Sequence, residues 1–388
     1  MSKKQAIIWG AGKIGRGFLG EIFQDAGYHL TFVEYDMRLV EALRQAGRYT
    51  IHKTTGKGPE EVVTVDDFDV LHTSDIDAIT ERIRQRGTVV AISVMQAALP
   101  AVAQALVPGV LDKAKNTPDE GLDIILCINM LHPARLAKKV MEETMPAEAQ
   151  QYLNDRVGLI ESVVMRMSPD ATPEIKAQDP LAVLNSGYPE MPVDKYGFKG
   201  EVPQTKMLRL AENIWAEEVR KIYTLNLAHV CLSYLGTPHG YTYAAKCVMD
   251  PQIRPLVEQA LAESSVGLAG EFGFTDMEKW NKEIIESLEN PALADTLGRL
   301  GADSKRKLGG DDRLVGAARL CLKHGGTPTA LAQVIAAGYR FDQPNDPGTE
   351  AVQAAVREQG IEKALQTISS LDPQEPLYAM ILAAWKQA

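Results

Sequence analysis

The sequence predicts an α/β protein in which a doubly wound parallel sheet is followed by a mostly α-helical C-terminal domain. Three observations carry this. Short, continuous apolar runs alternate with segments of helical apolar spacing as far as Met167, the pattern of strands buried on both faces with helices between them. The first apolar run leads directly into a glycine-rich turn. After Lys206 the helical period dominates almost to the end.

The elements follow in order. Residues 6–9, Ala-Ile-Ile-Trp, form a β-rich run, and residues 15–24 then carry Phe18, Leu19, Ile22 and Phe23 at helical spacing. Residues 30–33 read as a second strand, and 37–45 as a helix with Leu39, Val40 and Leu43 on one side. Residues 49–52 and 61–65 read as an extra pair of strands with a Gly-Lys-Gly turn region between them. Helix 75–85, strand 88–94, helix 100–115, strand 122–128, helix 134–143 and strand 157–167 continue the alternation, which implies a parallel sheet covered on both faces. Six prolines make residues 168–203 irregular, with room for a short strand or two. Beyond lie helical candidates at 207–234, 251–272, 279–289, 314–323, 328–339, 349–359 and 361–370. The first domain is accordingly placed at residues 1–195, ending in the proline-rich segment, and the second at 196–388.

Length and composition agree with this division. A chain of 388 residues suits two domains, and 45% hydrophobic with 24% charged residues excludes disorder as the main state. The 41 basic and 51 acidic residues give a net charge of −10, which argues against a nucleic-acid partner, because replacing phosphate counterions needs a surplus of Lys and Arg. Cys127, Cys231, Cys247 and Cys321 form no CxxC pair and read as reduced, buried thiols. No apolar stretch approaches the roughly 18 residues of a membrane span. The run after Met-Ser-Lys-Lys is too short for a signal-peptide core, so the expectation is a cytoplasmic protein with no membrane partner. His132 and His239 sit near loops, but there is no HxH or HExxH spacing, so no metal is expected.

Residues 10–17 read Gly-Ala-Gly-Lys-Ile-Gly-Arg-Gly, and Gly10, Gly12 and Gly15 satisfy GxGxxG. The motif follows a buried strand and opens a helix, the context a dinucleotide site requires. Gly10 permits the tight turn, Gly12 leaves room for a pyrophosphate, and Gly15 lets the helix lie close to the strand. The domain is therefore Rossmann-type. Lys13 and Ile14 lie within the loop, and Ser93 and Val94 end the strand 88–94; both pairs are cofactor-contact candidates. An acid is expected about 20 residues on, and Glu34 directly follows residues 30–33. A carboxylate there accepts hydrogen bonds from the ribose hydroxyls and repels a 2′-phosphate, which favours NAD over NADP. Arg38 lies close enough in sequence to blunt that repulsion. A ligand-free glycine turn and an FAD site are the alternatives.

Residues 221–229 read Lys-Ile-Tyr-Thr-Leu-Asn-Leu-Ala-His. On one helix Lys221, Asn226 and His229 would lie at about 0°, 140° and 80°, within a single arc. The surroundings are very apolar. A desolvated lysine has a lowered pKa and suits a general base. The alternative is a snorkelling surface lysine with Asn226 and His229 as satisfied core residues.

Lys-x4-Asn-x2-His resembles the signature of the polyol-specific long-chain dehydrogenase/reductase family. The resemblance covers nearly the whole chain and extends to GAGKIGRGFLG, KIYTLNLAHVCLSYLG and ENPALADTLGRLGADSKRKLGGDDRL. It implies a metal-independent, NAD-dependent oxidoreductase in which Lys221 is the general base, His229 orients substrate and lysine, and Asn226 donates to the developing alkoxide. Asn129, ending residues 122–128, matches a second asparagine of the family. The partner implied is a small-molecule polyol or sugar phosphate, and the protein a monomer or weak dimer.

Two departures stand near the expected substrate position: Ile128 where relatives commonly carry an acid, and Ser93-Val94-Met95-Gln96 in place of a small Ala-Val-Gly pattern. Arg306, Lys307 and Arg313 are candidates for a substrate phosphate. The alternative is a solvated basic face balanced by Asp303, Asp311 and Asp312. The leading expectation is interconversion of a hexitol phosphate and a ketose phosphate. An unphosphorylated polyol or sugar acid keeps the same chemistry, and a non-catalytic NAD-binding regulator is the remaining class.

Overall fold

The structure is a computed structural model and describes residues 3–56 and 58–387. The chain divides into two compact units, Met1–Glu218 and Val219–Ala388.

In the first unit the strands are β1 Gln5–Trp9, β2 His29–Glu34, β3 Tyr49–Lys53, β4 Glu61–Val65, β5 Phe68–His72, β6 Val89–Ile92, β7 Leu122–Leu126, β8 Val157–Glu161, β9 Val183–Asn185, β10 Met191–Asp194 and β11 Leu208–Ala211. Six of them form one sheet in the order β5-β2-β1-β6-β7-β8, and every pairing in it is parallel. Both faces are buried, and successive residues serve opposite sides. Ala6, Ile8, Leu30, Phe32, Val89 and Ala91 pack with Phe18, Ile22, Val40 and Leu43. Ile7, Trp9, Val33, Val90 and Ile92 pack with Ile79, Ile83, Leu99 and Leu106 on the other side. That is the doubly wound sheet expected from the alternating apolar runs.

The sheet order reverses between β1 and β6. In open α/β sheets a ligand crevice lies at that switch point, outside the carboxyl ends of the strands. The glycine loop leaves β1 there, and Ser93 and Val94 follow β6.

Several expectations need correction. Strand β5 escapes an apolar-run search because Asp69 and His72 interrupt it, and of its five residues only Val70 is buried; it is the sheet's edge. Strand β6 ends at Ile92 and β7 at Leu126, so Ser93, Val94 and Asn129 all lie in turns beyond the strands. Strand β8 ends at Glu161, and a helix, Gln150–Arg156, precedes it. The antiparallel pair β3–β4 is present, and the turn between them includes Lys57, which lies outside the described residues. The proline-rich segment supplies β9, which pairs with β3, the helix Pro173–Gln178, and β10, which pairs with β11. Residues 208–211 are thus a strand, not the start of a helix.

The second unit is helical. The apolar helix Leu225–Gly236 packs against Arg254–Phe272, Leu297–Gly301 and Thr329–Gly338. Helices Met277–Leu288, Val315–Lys323 and Pro376–Gln387 complete most of the rest. Pro347–Ile368 breaks at Gly360, where φ is 77°, between the two segments expected from periodicity. All four cysteines are free and buried. Among the described residues no helix is long and apolar enough to cross a membrane.

Candidate active site

The loop after β1 is shaped by three glycines with three different reasons. Gly10 has φ +97°, and a Cβ there would stand 2.2 Å from the Ser93 carbonyl oxygen, so the β1 and β6 turns meet only because that side chain is absent. At Gly15 a Cβ would fall 1.9 Å from the Gly10 carbonyl oxygen. At Gly12 it would meet nothing within 4 Å. Two of the glycines therefore serve packing, and the third leaves open space on the loop's outer side. A pyrophosphate needs that space, so the loop fits a dinucleotide. Ile14 is half-buried at the start of the helix. Lys13 extends outward and pairs with Asp170 at 2.9 Å.

The helix that follows opens with a π-helical turn, Gly15–Leu19, and continues as Gly20–Asp25. Side chains take up the altered backbone pattern. The Gly17 carbonyl accepts from Asn185 Nδ2 at 2.8 Å and from Arg166 Nη1 at 3.2 Å. The Arg16 carbonyl accepts from the Tyr49 hydroxyl at 2.9 Å. Arg16 in turn donates to the Ala11 carbonyl at 2.7 Å and the Leu181 carbonyl at 2.5 Å. Apart from the Arg16–Ala11 bond, these anchors are not visible in the fingerprint, because their partners lie 33 to 168 residues away.

Glu34 is buried at the end of β2. Its Oε2 accepts from the Ala11 amide at 2.8 Å, and its Oε1 from the Tyr35 and Asp36 amides at 2.8 and 3.0 Å. The carboxylate thus faces the glycine loop and is held by three backbone donors. Arg38 is turned away: it forms a two-point pair with Asp36, Nε–Oδ1 and Nη2–Oδ2 both at 3.1 Å. Asn129 is exposed beyond β7.

In the second unit, Lys221, Asn226 and His229 do not share one helix. Ile214–Ile222 ends, Tyr223 and Thr224 form a break, and Leu225–Gly236 begins. Thr224 has φ −128° and ψ −78°; its hydroxyl donates to the Arg220 carbonyl at 2.5 Å and accepts from Trp280 Nε1 at 2.9 Å. A threonine that bonds back to residue i−4 competes with the helix ladder, and here Trp280 fixes the outcome. The helical-wheel placement of Lys221 relative to the other two therefore does not hold. Asn226 and His229 remain on one side of the second helix, three residues apart.

His229 Nε2 is buried and has no hydrogen-bond partner. Burial, reinforced by the positive charges of Arg299, Arg313, Lys307 and Lys221, pushes its pKa down to about 3, so the ring is neutral at ordinary pH. Lys307 is also buried, and its Nζ donates to the Leu300 carbonyl at 2.8 Å. Burial and then Arg313 and Arg306 push its pKa down to about 7. Arg313 is buried beside Asp312, Nε–Oδ1 2.7 Å. Arg306 is half-exposed and bound to Asp303 at 2.6 Å and Asp312 at 3.3 Å. The positive charges of Lys307 and Arg313 thus act on His229, and Arg306 is held between two carboxylates. Arg299 pairs with Asp295 and adds to the field at His229; it stands beside the basic segment, but nothing in the order of residues ties residue 299 to residue 229.

A model described as the mannitol dehydrogenase Rossmann domain matches residues 4–207, and one described as the mannitol dehydrogenase C-terminal domain matches residues 213–387. Among solved structures, a substrate-free D-sorbitol dehydrogenase is similar at TM-score 0.85 and 16% identity, over 99% of this chain and 93% of that one. A Pseudomonas fluorescens mannitol 2-dehydrogenase, solved as a ternary complex with NAD and D-mannitol, is similar at TM-score 0.78 and 16% identity, over 100% of this chain and 92% of that one. At such identity these two likenesses show the fold alone.

Proposed function

The chain belongs to the mannitol dehydrogenase family, and from that premise we propose that it is an NAD-dependent, metal-independent oxidoreductase interconverting a hexitol phosphate and a ketose phosphate, of the mannitol-1-phosphate 5-dehydrogenase type. The observation that supports a phosphorylated substrate is that the positive charges of Arg299, Arg313 and Lys307 all act on the neutral His229, in a chain of net charge −10. Bound NAD supplies the hydride acceptor. Gly10, Gly12, Lys13, Ile14 and Gly15 hold its pyrophosphate, Glu34 its adenosine ribose, and Ser93 and Val94 its nicotinamide end.

The protein's own residues move the proton. Lys221 takes it from the substrate hydroxyl during oxidation and returns it during reduction. Asn226 donates a hydrogen bond to the oxygen as it becomes an alkoxide, worth on the order of 3 kcal/mol in the transition state, and Asn129 stands where the family carries its second asparagine. His229 stays neutral, and its unpartnered Nε2 accepts a substrate hydroxyl. This division of labour calls for no metal. Lys307, Arg306 and Arg313 take the phosphate, with Asp312 orienting the two guanidinium groups until substrate replaces it.

A second reading keeps the chemistry and changes the substrate to an unphosphorylated polyol or a sugar acid. It is favoured by the neutralisation of Arg306 and Arg313 by Asp303 and Asp312. NADH absorbance with a panel of hexitol phosphates, free hexitols and hexonates separates the two, and turnover of none of them would favour a regulatory role. Arg306→Ala should lower efficiency on the phosphorylated hexitol by roughly 10–100-fold, as expected for one charged hydrogen bond, and leave activity on the free hexitol in place. Equal losses on both would make Arg306 structural.

A further inference from the structure

The turn after β2 carries two carboxylates, Glu34 and Asp36, and one guanidinium, Arg38. Rossmann-type sites read the 2′ position of the adenosine ribose at this turn: an acid hydrogen-bonds a free hydroxyl, and a nearby arginine accommodates a 2′-phosphate. Both features are present within five residues, so the sequence alone leaves the outcome open. The structure decides it through Asp36. Both Asp36 carboxylate oxygens are bound by Arg38, at 3.1 Å each. The same carboxylate caps the helix Met37–Ala46 by accepting the Arg38 amide at 3.0 Å. Helix cap and latch are thus one group. The Arg38 side chain is 91% exposed, so nothing but Asp36 directs it.

We propose that Asp36 is a specificity-determining residue that keeps Arg38 from a 2′-phosphate, so that NADP is excluded by the Asp36–Arg38 pair as well as by Glu34. Glu34 cannot swing aside to relieve the repulsion, because three backbone amides hold it. Arg38 is the flexible element, and a two-point carboxylate pair is the geometry that competes best with phosphate for a guanidinium. An exposed pair of this kind contributes little to stability, so its charge can be removed without threatening the fold. The inference rests on the NAD reading of the site.

The test uses Asp36→Asn, which keeps a helix-capping side chain and removes the charge. Dissociation constants for NADH and NADPH are measured by fluorescence titration, alongside the melting temperature. The ratio of NADPH to NADH affinity should rise about tenfold in Asp36→Asn, the low end of what one charged contact supplies. It should return to the wild-type ratio in Asp36→Asn/Arg38→Gln. Arg38→Gln alone should leave the ratio unchanged, because a latched Arg38 does not reach the phosphate. An unchanged ratio in a folded Asp36→Asn protein overturns the proposal. So does an equal rise in the double variant, which would assign the effect to lost repulsion alone, or a loss of NADPH affinity in Arg38→Gln. Wild-type protein that binds neither nucleotide would instead refute the cofactor reading itself.

Discussion

The glycine loop of the first unit and the His229 region of the second are built on opposite plans. The loop is made of backbone. Gly10 and Gly15 are there because a Cβ would collide with a carbonyl oxygen, and the Ala11 peptide is clamped from both sides, its amide by Glu34 and its carbonyl by Arg16. Its charged groups are paired with local donors and acceptors. The His229 region is made of side chains held at a cost: a histidine nitrogen without a partner, and a lysine whose pKa is pushed down to about 7 by burial and neighbouring arginines. A satisfied backbone cradle offers one rigid shape to an invariant cofactor. A desolvated lysine and an unpartnered histidine nitrogen leave polar groups that a ligand can satisfy, and that plan suits a substrate.

Three experiments break or sharpen this contrast. The largest effect should come from Lys221→Ala, which removes the proposed base: turnover should fall by roughly 10²-fold or more, while NADH affinity, set in the first unit, should stay near wild type. Near-normal turnover would remove Lys221 from the mechanism.

The second experiment is internal to the loop. Gly15→Ala places a Cβ 1.9 Å from a backbone oxygen, so it should lower both the melting temperature and NADH affinity. Gly12→Ala meets no protein atom; it should leave the melting temperature alone and weaken NADH by on the order of tenfold, since only the cofactor approaches that face. Equal thermal losses in the two variants would refute the separation of packing glycines from the open one.

The smallest effect is the pH response of Lys307. Its folded-state pKa of about 7 lies below the ordinary 10.5. Between those values the unfolded chain holds a proton that the folded chain has released, so this group makes stability rise with pH across that window. Binding runs the other way. As pH rises through about 7 the lysine loses its charge, and the KM for a phosphorylated hexitol should climb a few-fold. Lys307→Met should flatten both trends, the first read by urea unfolding and the second by steady-state kinetics. A KM profile that is unchanged in Lys307→Met would place the phosphate elsewhere.

How much was legible in advance depended on the range of the interaction. The main strands and helices of the first unit announced themselves because a strand buried on both faces must be largely apolar: β6 is apolar throughout, and β1 and β7 carry one polar residue each, Gln5 and Asp123. Edge strand β5 did not, because solvent lets Asp69 and His72 stand in it. The glycine fingerprint with Glu34 was legible for the same local reason: turn, helix start and acid lie within 25 residues, and their geometry follows from backbone sterics. By itself, then, the sequence determined the doubly wound sheet, the dinucleotide loop and the helical character of the second unit. Tertiary structure decided the rest. Trp280, 56 residues from Thr224, bonds the hydroxyl at the break in the Lys221–His229 segment. Arg299, Lys307 and Arg313 act on His229 from 70 or more residues away. Even Asp36 and Arg38, two residues apart, took their meaning from the three-dimensional arrangement, since only the orientation of a flexible guanidinium tells whether it faces a carboxylate or a phosphate. Backbone sterics and burial periodicity are local and leave a mark in the order of residues; side-chain electrostatics depend on distance through space, and the order of residues does not record that distance.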